Sequence, residues 1–319
     1  MKEQELLLKA IRKQLSDQAS LISELASVLN ISYDAAHRRI SQKSKFTIEE
    51  TVTLCRHYKI SMDKLFFQDR KVIVEKTKDI HSMADMIAYF KHSSEKLQLF
   101  TSLSETKMYY SAKDIPLFYT ADGTLLSKFK LYVWMNLLNG NKNQESFEKF
   151  SIDGQLSEYT QVLKKVYATV EVHEIWNDTT INSTLQQILY FFEAGLVGLQ
   201  NAIALYDDLK SIIHKAEEKC VNDPRYTLYY NELLILNNNV LVTDSKKQSL
   251  FIPYTMLGYF ITDDSETCAS TLGFFLNQIR NSKSLNVSGT KDRKQFFNKS
   301  LHKINFYIER LKNEVAIDY

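Results

Sequence analysis

A run of polar and basic side chains between residues 32 and 45 carries the clearest chemistry in this sequence. Arg and Lys offer positive charge and hydrogen bonds to phosphate oxygens, and Arg can also bind a guanine edge through two parallel hydrogen bonds. Tyr and His can hydrogen-bond to base edges or pack on a thymine methyl group. The segment contains Tyr33, Asp34, His37, Arg38, Arg39, Lys43 and Lys45. These residue types, so closely spaced, indicate contacts with nucleic acid.

The elements that must position these side chains are two short helices joined by a tight turn. Residues 20–29 and 32–41 each begin at a serine that can cap a helix, and each carries apolar residues at helical spacing. Asn30 lies where the turn needs a residue that tolerates a left-handed conformation. Ala36 and Ile40 are four residues apart and face inward. This pattern predicts a helix-turn-helix whose second helix enters the major groove of double-stranded DNA.

The inward positions of the second helix define its outward positions. We predict that the base edges are read by Tyr33, Asp34, His37 and Arg38. We predict phosphate contacts from Ser32, Arg39, Lys43 and Lys45. Asp34 has a second interpretation, because an acidic residue in the first turn of a helix also stabilises the helix dipole.

Residues 5–68 contain a set of short motifs with a family likeness. They are Glu24-Leu25-Ala26, Leu29-Asn30-Ile31-Ser32, Ile48-Glu49-Glu50, Leu54 and Ile60-Ser61-Met62-Asp63-Lys64-Leu65. The set resembles the Cro/CI-type (XRE, phage-repressor-like) helix-turn-helix family, which implies a five-helix DNA-binding domain. Residues 34–39 are similar to a subgroup whose recognition helix reads Asp-Ala-Ala-Tyr/His-Arg-Arg. Asn30 replaces the usual turn glycine and Arg39 an apolar residue, so a recognition face rotated by one position stays open as an alternative.

Charge and glycine content separate the beginning of the chain from the remainder. The first 71 residues contain 13 Lys/Arg and 9 Asp/Glu, whereas the whole chain has a net charge of only +2. All 8 glycines and all 3 prolines lie at or beyond Pro116, which leaves the first third free to be helical. We predict a helix-turn-helix domain over residues 1–70, a connector over 71–78 and a larger domain over 79–319.

Apolar periodicity predicts that the larger domain is mostly helical. For example, Leu125–Leu138 is predicted as an apolar helix with Lys128 and Lys130 on its wetter side. Alternating apolar residues and turn residues predict a small antiparallel β-meander near 226–262. The expected fold class is therefore mainly α, with an N-terminal five-helix DNA-binding domain followed by a larger helical domain that carries this meander.

Patterns typical of enzymes and metal sites are not readable in the sequence. Cys55, Cys220 and Cys268 lie far apart and form no metal-binding pair. There is no Ser/His/Asp order, paired-carboxylate motif or dinucleotide fingerprint, so we predict no catalytic residue, no metal site, no cofactor and no enzymatic activity. The N-terminus mixes acids and bases among its leucines, and no apolar run approaches the roughly 18 residues that span a bilayer. We therefore expect a cytoplasmic protein without a membrane partner.

These observations lead to two main hypotheses about function. The first is a transcriptional regulator that acts as a homodimer on two half-sites about 34–36 Å apart. In this hypothesis the larger domain dimerises through Ile181–Lys219 or the apolar stripe Phe296–Leu311, and it senses a small-molecule or peptide effector. The second is a peptide- or protein-binding regulatory module whose partner controls DNA binding. A third and weaker alternative is an enzyme tethered to DNA.

Overall fold

The chain divides between Ile73 and Val74 in the computed structural model. The structure describes residues 2–16, 19–66, 72–101, 105–121, 123–138, 145–233, 237–286 and 290–317. We call Met1–Ile73 the N-terminal unit and Val74–Tyr319 the C-terminal unit. The predicted end of the first domain, between residues 70 and 71, lies outside the described residues. The predicted connector over 71–78 extends into the C-terminal unit, where Glu75–Lys76 is a strand of its sheet.

In the N-terminal unit, the described helices bring their apolar residues into one small core. These helices are α1 (Lys2–Arg12), α2 (Leu21–Leu29), α3 (Tyr33–Ile40), α4 (Ile48–His57) and α5 (Met62–Phe66). Leu7, Ile11, Leu25, Ala36 and Leu54 come from four of them and are each exposed by 1% or less. An amphipathic helix buries the side that carries its apolar residues, so this core fixes how α3 is rotated about its own axis.

The C-terminal unit combines helices with a β-sheet. Its helices are α6 (Met83–Gln98), α7 (Leu125–Leu138), α8 (Gly154–Thr169), α9 (Asn182–Glu193), α10 (Leu199–Asn222), α11 (Ser265–Arg280) and α12 (Thr290–Ile317), with a short 3-10 turn at Leu117–Thr120. Its strands are β1 (Glu75–Lys76), β2 (Lys107–Ser111), β3 (Glu171–Trp176), β4 (Tyr226–Tyr230), β5 (Val240–Thr243), β6 (Gln248–Pro253), β7 (Tyr259–Thr262) and β8 (Lys283–Ser284).

The described strands form one eight-stranded sheet in the order β1-β7-β6-β5-β2-β3-β4-β8. Strands β2, β3 and β4 are parallel, and each crossover between them contains a pair of helices, as parallel neighbours require long connections. Strands β5, β6 and β7 follow as antiparallel neighbours. Because β2 pairs with β3 on one side and with antiparallel β5 on the other, the parallel and antiparallel halves of the sheet meet at β2.

Alternate residues of the central strands enter two separate cores, because neighbouring side chains of a strand point to opposite faces of the sheet. Met108 and Val172 belong to the larger core, which they share with residues of α6 to α10 and α12. Tyr109 and Ile175 belong to a smaller core, whose helical members among the described residues come from α11. The sheet therefore carries a thick helical layer on one face and α11 on the other.

The predicted fold class is wrong. We expected a helical domain with a small antiparallel meander. The structure has a large mixed sheet that includes parallel strands. The described N-terminal unit also departs from five regular helices, because it has four helices of eight or more residues and α5 has only five. Strand β3 was not predicted because Glu171, His173 and Glu174 break its apolar pattern. Its pairing with strands far away in sequence leaves no local signal.

Two predicted features of the helical layer also differ from the structure. Residues Ile181–Lys219 form α9 and α10, and between them Gly195 has φ of +71°, a left-handed conformation that a continuing helix excludes. The stripe Phe296–Leu311 is buried within the C-terminal unit itself, with Phe297 exposed by 1% and Ile304 by 0%. Side chains buried in this way are not available to a second copy of the chain. A dimer contact through this stripe would have to displace packing inside the C-terminal unit.

Candidate nucleic-acid interface

The turn between α2 and α3 depends on Asn30. This residue ends α2 with φ of 52° and ψ of 48°, in the left-handed region that asparagine tolerates better than most residues. The backbone N–H of Ile31 then donates to the carbonyl oxygen of Ala26 at 3.0 Å, which closes the turn. The prediction that Asn30 supplies the left-handed turn residue is confirmed.

The start of α3 is fixed by a cap and by one buried methyl group. The hydroxyl of Ser32 accepts a hydrogen bond from the backbone N–H of Ala35 at 3.2 Å, which satisfies one of the unpaired donors at a helix N-terminus. Ala36 is fully buried against α2, and Ile40, four residues later, is partly buried in the same core. The inward face of α3 is therefore the predicted one, without a rotation by one position.

The four predicted base-reading residues share the opposite side of α3. Tyr33 is 59% exposed, and Asp34, His37 and Arg38 are also exposed. Among the described residues, none of these four side chains has a hydrogen-bond or ion-pair partner. Positions i, i+1, i+4 and i+5 of a helix lie on one face, so the structure brings the four together on one polar surface.

Arg39 is placed differently from the other predicted DNA-binding residues. Its guanidinium binds the carboxylate of Glu50 at two points, Nε to Oε2 at 2.9 Å and a terminal nitrogen to Oε1 at 2.6 Å. Glu50 also forms a capping box with Thr47 at the start of α4, as the sequence predicted. The hydrogen bond from Arg39 lowers the pKa of Glu50 and raises that of Arg39. Arg39 thus links α3 to α4, and we leave it out of the proposed phosphate contacts.

The loop after α3 carries Lys43 and Lys45, both exposed. Gln4 of α1 holds this loop, because its side-chain nitrogen donates to the carbonyl oxygens of Arg39 at 2.7 Å and Ser44 at 3.0 Å. Its side-chain oxygen accepts from the backbone N–H of Phe46 at 3.1 Å. Sequence reasoning missed Gln4, although its spacing of three, four and seven residues from the buried Leu7, Leu8 and Ile11 places it on the inward face of α1.

The described cysteines and metal-ligating side chain types do not form a reactive-thiol or metal site. Cys55, Cys220 and Cys268 are all buried, and burial raises the pKa of Cys55 and raises that of Cys220 to about 12. Burial thus favours the protonated, less reactive form of the thiols of Cys55 and Cys220. Within the described residues, no group of three His, Cys, Asp or Glu side chains is arranged to hold a metal ion.

Two charged groups of the C-terminal unit were not recognised from the sequence. Lys130 was predicted on the wetter side of α7 but is only 1% exposed, so that prediction is wrong. The signal was available, because a helix that is apolar on nearly every side has no wet face. Its Nζ binds Asp114 Oδ2 at 2.9 Å and Gln187 Oε1 at 3.0 Å.

The second missed group is Glu174, which is fully buried in the middle of β3. Its oxygens accept hydrogen bonds from the hydroxyls of Tyr119, Tyr167 and Tyr226 and from the indole N–H of Trp176, at 2.5–3.3 Å. Lys219 lies 4.3 Å from the ring centroid of Tyr167, and it also covers the rings of the other two tyrosines. Burial raises the pKa of Glu174 and lowers that of Lys219.

Comparisons with protein-family models, with curated proteins and with solved structures find no match for this chain. The resemblance to the Cro/CI family therefore remains a prediction that rests on the motif residues. Over the described ranges, every helix is too short or too polar to cross a membrane.

Proposed function

We propose that this protein is a sequence-specific transcriptional regulator that binds double-stranded DNA through α3. The observation that carries the proposal is the exposed polar face of Tyr33, Asp34, His37 and Arg38 on a helix that is capped, buried on its other side and preceded by a left-handed turn. A helix presented in this way can enter the major groove, where side chains distinguish the base pairs.

The proposed contacts differ in what they contribute. The guanidinium of Arg38 has no partner among the described residues, so it can bind both acceptors of a guanine, while Tyr33 and His37 reach neighbouring base edges. Lys43 and Lys45 bind phosphates and thereby set affinity and its dependence on salt, without reading sequence. Ser32 can donate its hydroxyl proton to a phosphate while its oxygen accepts from Ala35.

The wider proposal is a cytoplasmic regulator with a binding function rather than a catalytic one. We propose that it acts as a homodimer, since two copies of α3 would match a two-fold symmetric operator. The contact between the copies then uses a surface other than the buried stripe of α12. The C-terminal unit contributes this contact and the response to a signal.

The test starts from selection of duplexes from a random DNA library by the full-length protein. We expect enrichment of one motif with two related halves. Arg38→Ala should then weaken binding to the selected duplex by about 1–3 kcal/mol and relax specificity at one base pair, while binding to random duplex changes little. The proposal fails if no motif is enriched at any salt concentration.

A matched control separates base reading from loss of charge. Arg56 is an exposed arginine in the last turn of α4, so Arg56→Ala removes the same charge from the N-terminal unit. We expect it to leave the selected motif unchanged. Equal loss of specificity in both variants would contradict a reading role for Arg38.

A further inference from the structure

The C-terminal unit contains a cavity of about 470 Å³ next to the carboxyl end of β2. This volume lies within the range of roughly 300–1,000 Å³ that is typical of small-molecule sites. Its walls come from the loop after β2, from α7 and α9, from the residues before β5 and from the turn between β6 and β7. The cavity therefore lies at the edge of the sheet where the parallel strand β2 ends and its antiparallel neighbour β5 begins.

The polar wall of the cavity is built around the ion pair of the buried Lys130 with the partly buried Asp114. Asp114 Oδ1 accepts from the backbone N–H of Ile115 at 2.8 Å and from the hydroxyl of Thr184 at 3.2 Å. The backbone N–H of Asp114 donates to Asn238 Oδ1 at 3.0 Å. Both carboxylate oxygens of Asp114 are therefore occupied, and several elements of the unit hold it in place.

Lys130 uses a smaller share of its hydrogen-bonding capacity than Asp114 does. Its ammonium has three donors, and two of them are used by Asp114 and Gln187 among the described residues. Lys113 also lines the cavity and is exposed. With Asp114 as the one acidic side chain among the lining residues, the lining carries one net positive charge.

Other lining residues of the cavity are apolar or aromatic. A smaller cavity of about 50 Å³ adjoins it and shares the lining residues Tyr89, Tyr110, Leu117 and Tyr259. The smaller cavity is further lined by apolar side chains, which include Phe118, Leu163 and Phe251. An occupant that reaches from Lys130 into the smaller cavity needs a polar group at one end and an apolar body.

We propose that the C-terminal unit binds a small organic monoanion, an aromatic carboxylate, with its carboxylate at Lys130 and Lys113 and its ring toward Tyr89 and Tyr110. The charge of the lining matches one negative charge, and a desolvated ammonium binds a carboxylate more strongly than the same ammonium does in water. A dianion such as phosphate leaves one charge uncompensated and the aromatic end empty. This binding goes beyond the proposed DNA-binding function and does not depend on it.

The test uses two probes of nearly the same shape and different charge. Indole-3-acetate is the anion and indole-3-acetamide is its neutral counterpart, and binding of each to the full-length protein is measured by titration calorimetry. We expect a Kd of about 1 mM or tighter for the acid, a modest affinity for a ligand of this size, and binding of the amide weaker by about tenfold. Equal binding of both probes, no binding of the acid, or tighter binding of inorganic phosphate would overturn the proposal.

Two variants connect the binding to the cavity. Lys130→Met keeps the length of the side chain and removes its charge, so it should weaken binding of the acid by about tenfold or more and leave the amide unchanged. Lys113→Gln changes an exposed side chain, so we expect it to leave folding unaffected. It should weaken binding of the acid by about threefold even if Lys130→Met fails to fold.

Lys128→Met provides the matched control on the same helix. Lys128 lies two residues from Lys130, but it packs over the ring of Phe147 and is not a lining residue of the cavity. Its substitution should leave the affinity for both probes unchanged. Equal weakening by Lys128→Met and Lys130→Met would show general charge attraction and overturn the assignment of the site. Because no step involves DNA, the result is independent of whether α3 binds DNA.

Discussion

Charge is used in opposite ways in the two units of this molecule. On α3, the exposed side chain of Arg38 has no side-chain partner among the described residues. In the C-terminal unit, Lys130 and Glu174 are exposed by 1% or less and lie among fixed partners. Water solvates an exposed charge at little free-energy cost, whereas a buried charge requires hydrogen bonds and an opposite charge. An exposed charged side chain can therefore remain without a protein partner until a ligand binds. A buried charged side chain needs hydrogen-bond and ion-pair partners within the protein.

The comparison also applies to the two buried clusters. Glu174 is surrounded by four donors, with Lys219 over the tyrosine rings, and it does not line either cavity. Lys130 lines a cavity and has a donor beyond the two that its partners use. A saturated cluster stabilises the fold, and an unsaturated cluster beside a cavity can bind a ligand. Four predictions compare the contributions of individual polar side chains in the two units.

The largest effect is expected at Glu174. Glu174→Ala removes the acceptor that three tyrosine hydroxyls and an indole N–H share. The hydroxyl–hydroxyl hydrogen bonds of Tyr119 with Tyr226 at 3.0 Å and with Tyr167 at 3.3 Å replace it only in part, so we expect a loss of about 3–5 kcal/mol in the free energy of unfolding. Denaturant titration measures it. The control is Glu171→Ala on the same strand, where a 40% exposed carboxylate contacts Lys107 and His173 and should contribute less than about 1 kcal/mol. Similar losses in both variants would show that the buried and the exposed carboxylate contribute equally to stability, which contradicts the prediction.

The next effect is expected within α3 itself, at two neighbouring arginines. Arg39→Ala breaks the two-point contact with Glu50, whose side chain is 16% exposed, and should cost about 1–2 kcal/mol of stability. Arg38→Ala should change stability by less than about 0.5 kcal/mol and reduce only specific DNA binding. Thermal unfolding and DNA titration of both variants test this. If Arg38→Ala lowered stability and Arg39→Ala reduced only specific DNA binding, the two assigned roles would be contradicted.

A smaller effect is expected from the cap of α3. Ser32→Ala removes the hydrogen bond to the backbone N–H of Ala35 and should cost about 1 kcal/mol. Ser20 occupies the same position before α2 but makes no such hydrogen bond, so Ser20→Ala should change stability by less than about 0.5 kcal/mol. Denaturant titration of the pair measures the contribution of one capping bond. Equal losses of stability in both variants would mean that the hydrogen bond from Ala35 to Ser32 does not stabilise the protein.

The smallest effect is a difference in pH dependence between the units. The folded-state pKa of Glu50 is lowered, so its stabilising contribution is present above its ordinary value of 4.5 and is lost as the pH falls below it. The folded-state pKa of Glu174 is raised above 4.5, so its contribution is largest at low pH and decreases as the pH rises through the interval above 4.5. Hydrogen exchange in the substituted unit should show that Glu50→Gln destabilises less at pH 4 than at pH 7. For Glu174→Gln we expect the opposite trend, and parallel trends would contradict the assigned directions.

Some of the fold was readable from sequence because its signals are local. The turn at Asn30, the capping box of Thr47 with Glu50 and the inward position of Ala36 each depend on residues within a few positions of one another. The exact span of α7, Leu125–Leu138, was predicted for the same reason. The burial of Lys130 within that helix was not, because its partner Asp114 belongs to another element.

The sheet and the cavity could not be read in this way. Strand β2 pairs with β3 more than sixty positions away, as in the register Lys107 with Glu171, and no local pattern contains that information. Glu174 looked like an ordinary polar residue, because its burial depends on three tyrosines from separate parts of the chain. The role of Arg39 was also missed, since its partner Glu50 lies on the next helix.

The sequence alone therefore determined the helices α2 and α3, the left-handed turn between them and the face of α3 that is exposed, because caps, turns and helical periodicity act over a few residues. Tertiary structure decided the mixed sheet, the burial of Lys130 and Glu174, and the ion pair of Arg39 with Glu50. These features depend on which distant residues meet, and that follows from the packing of whole elements into a shared core.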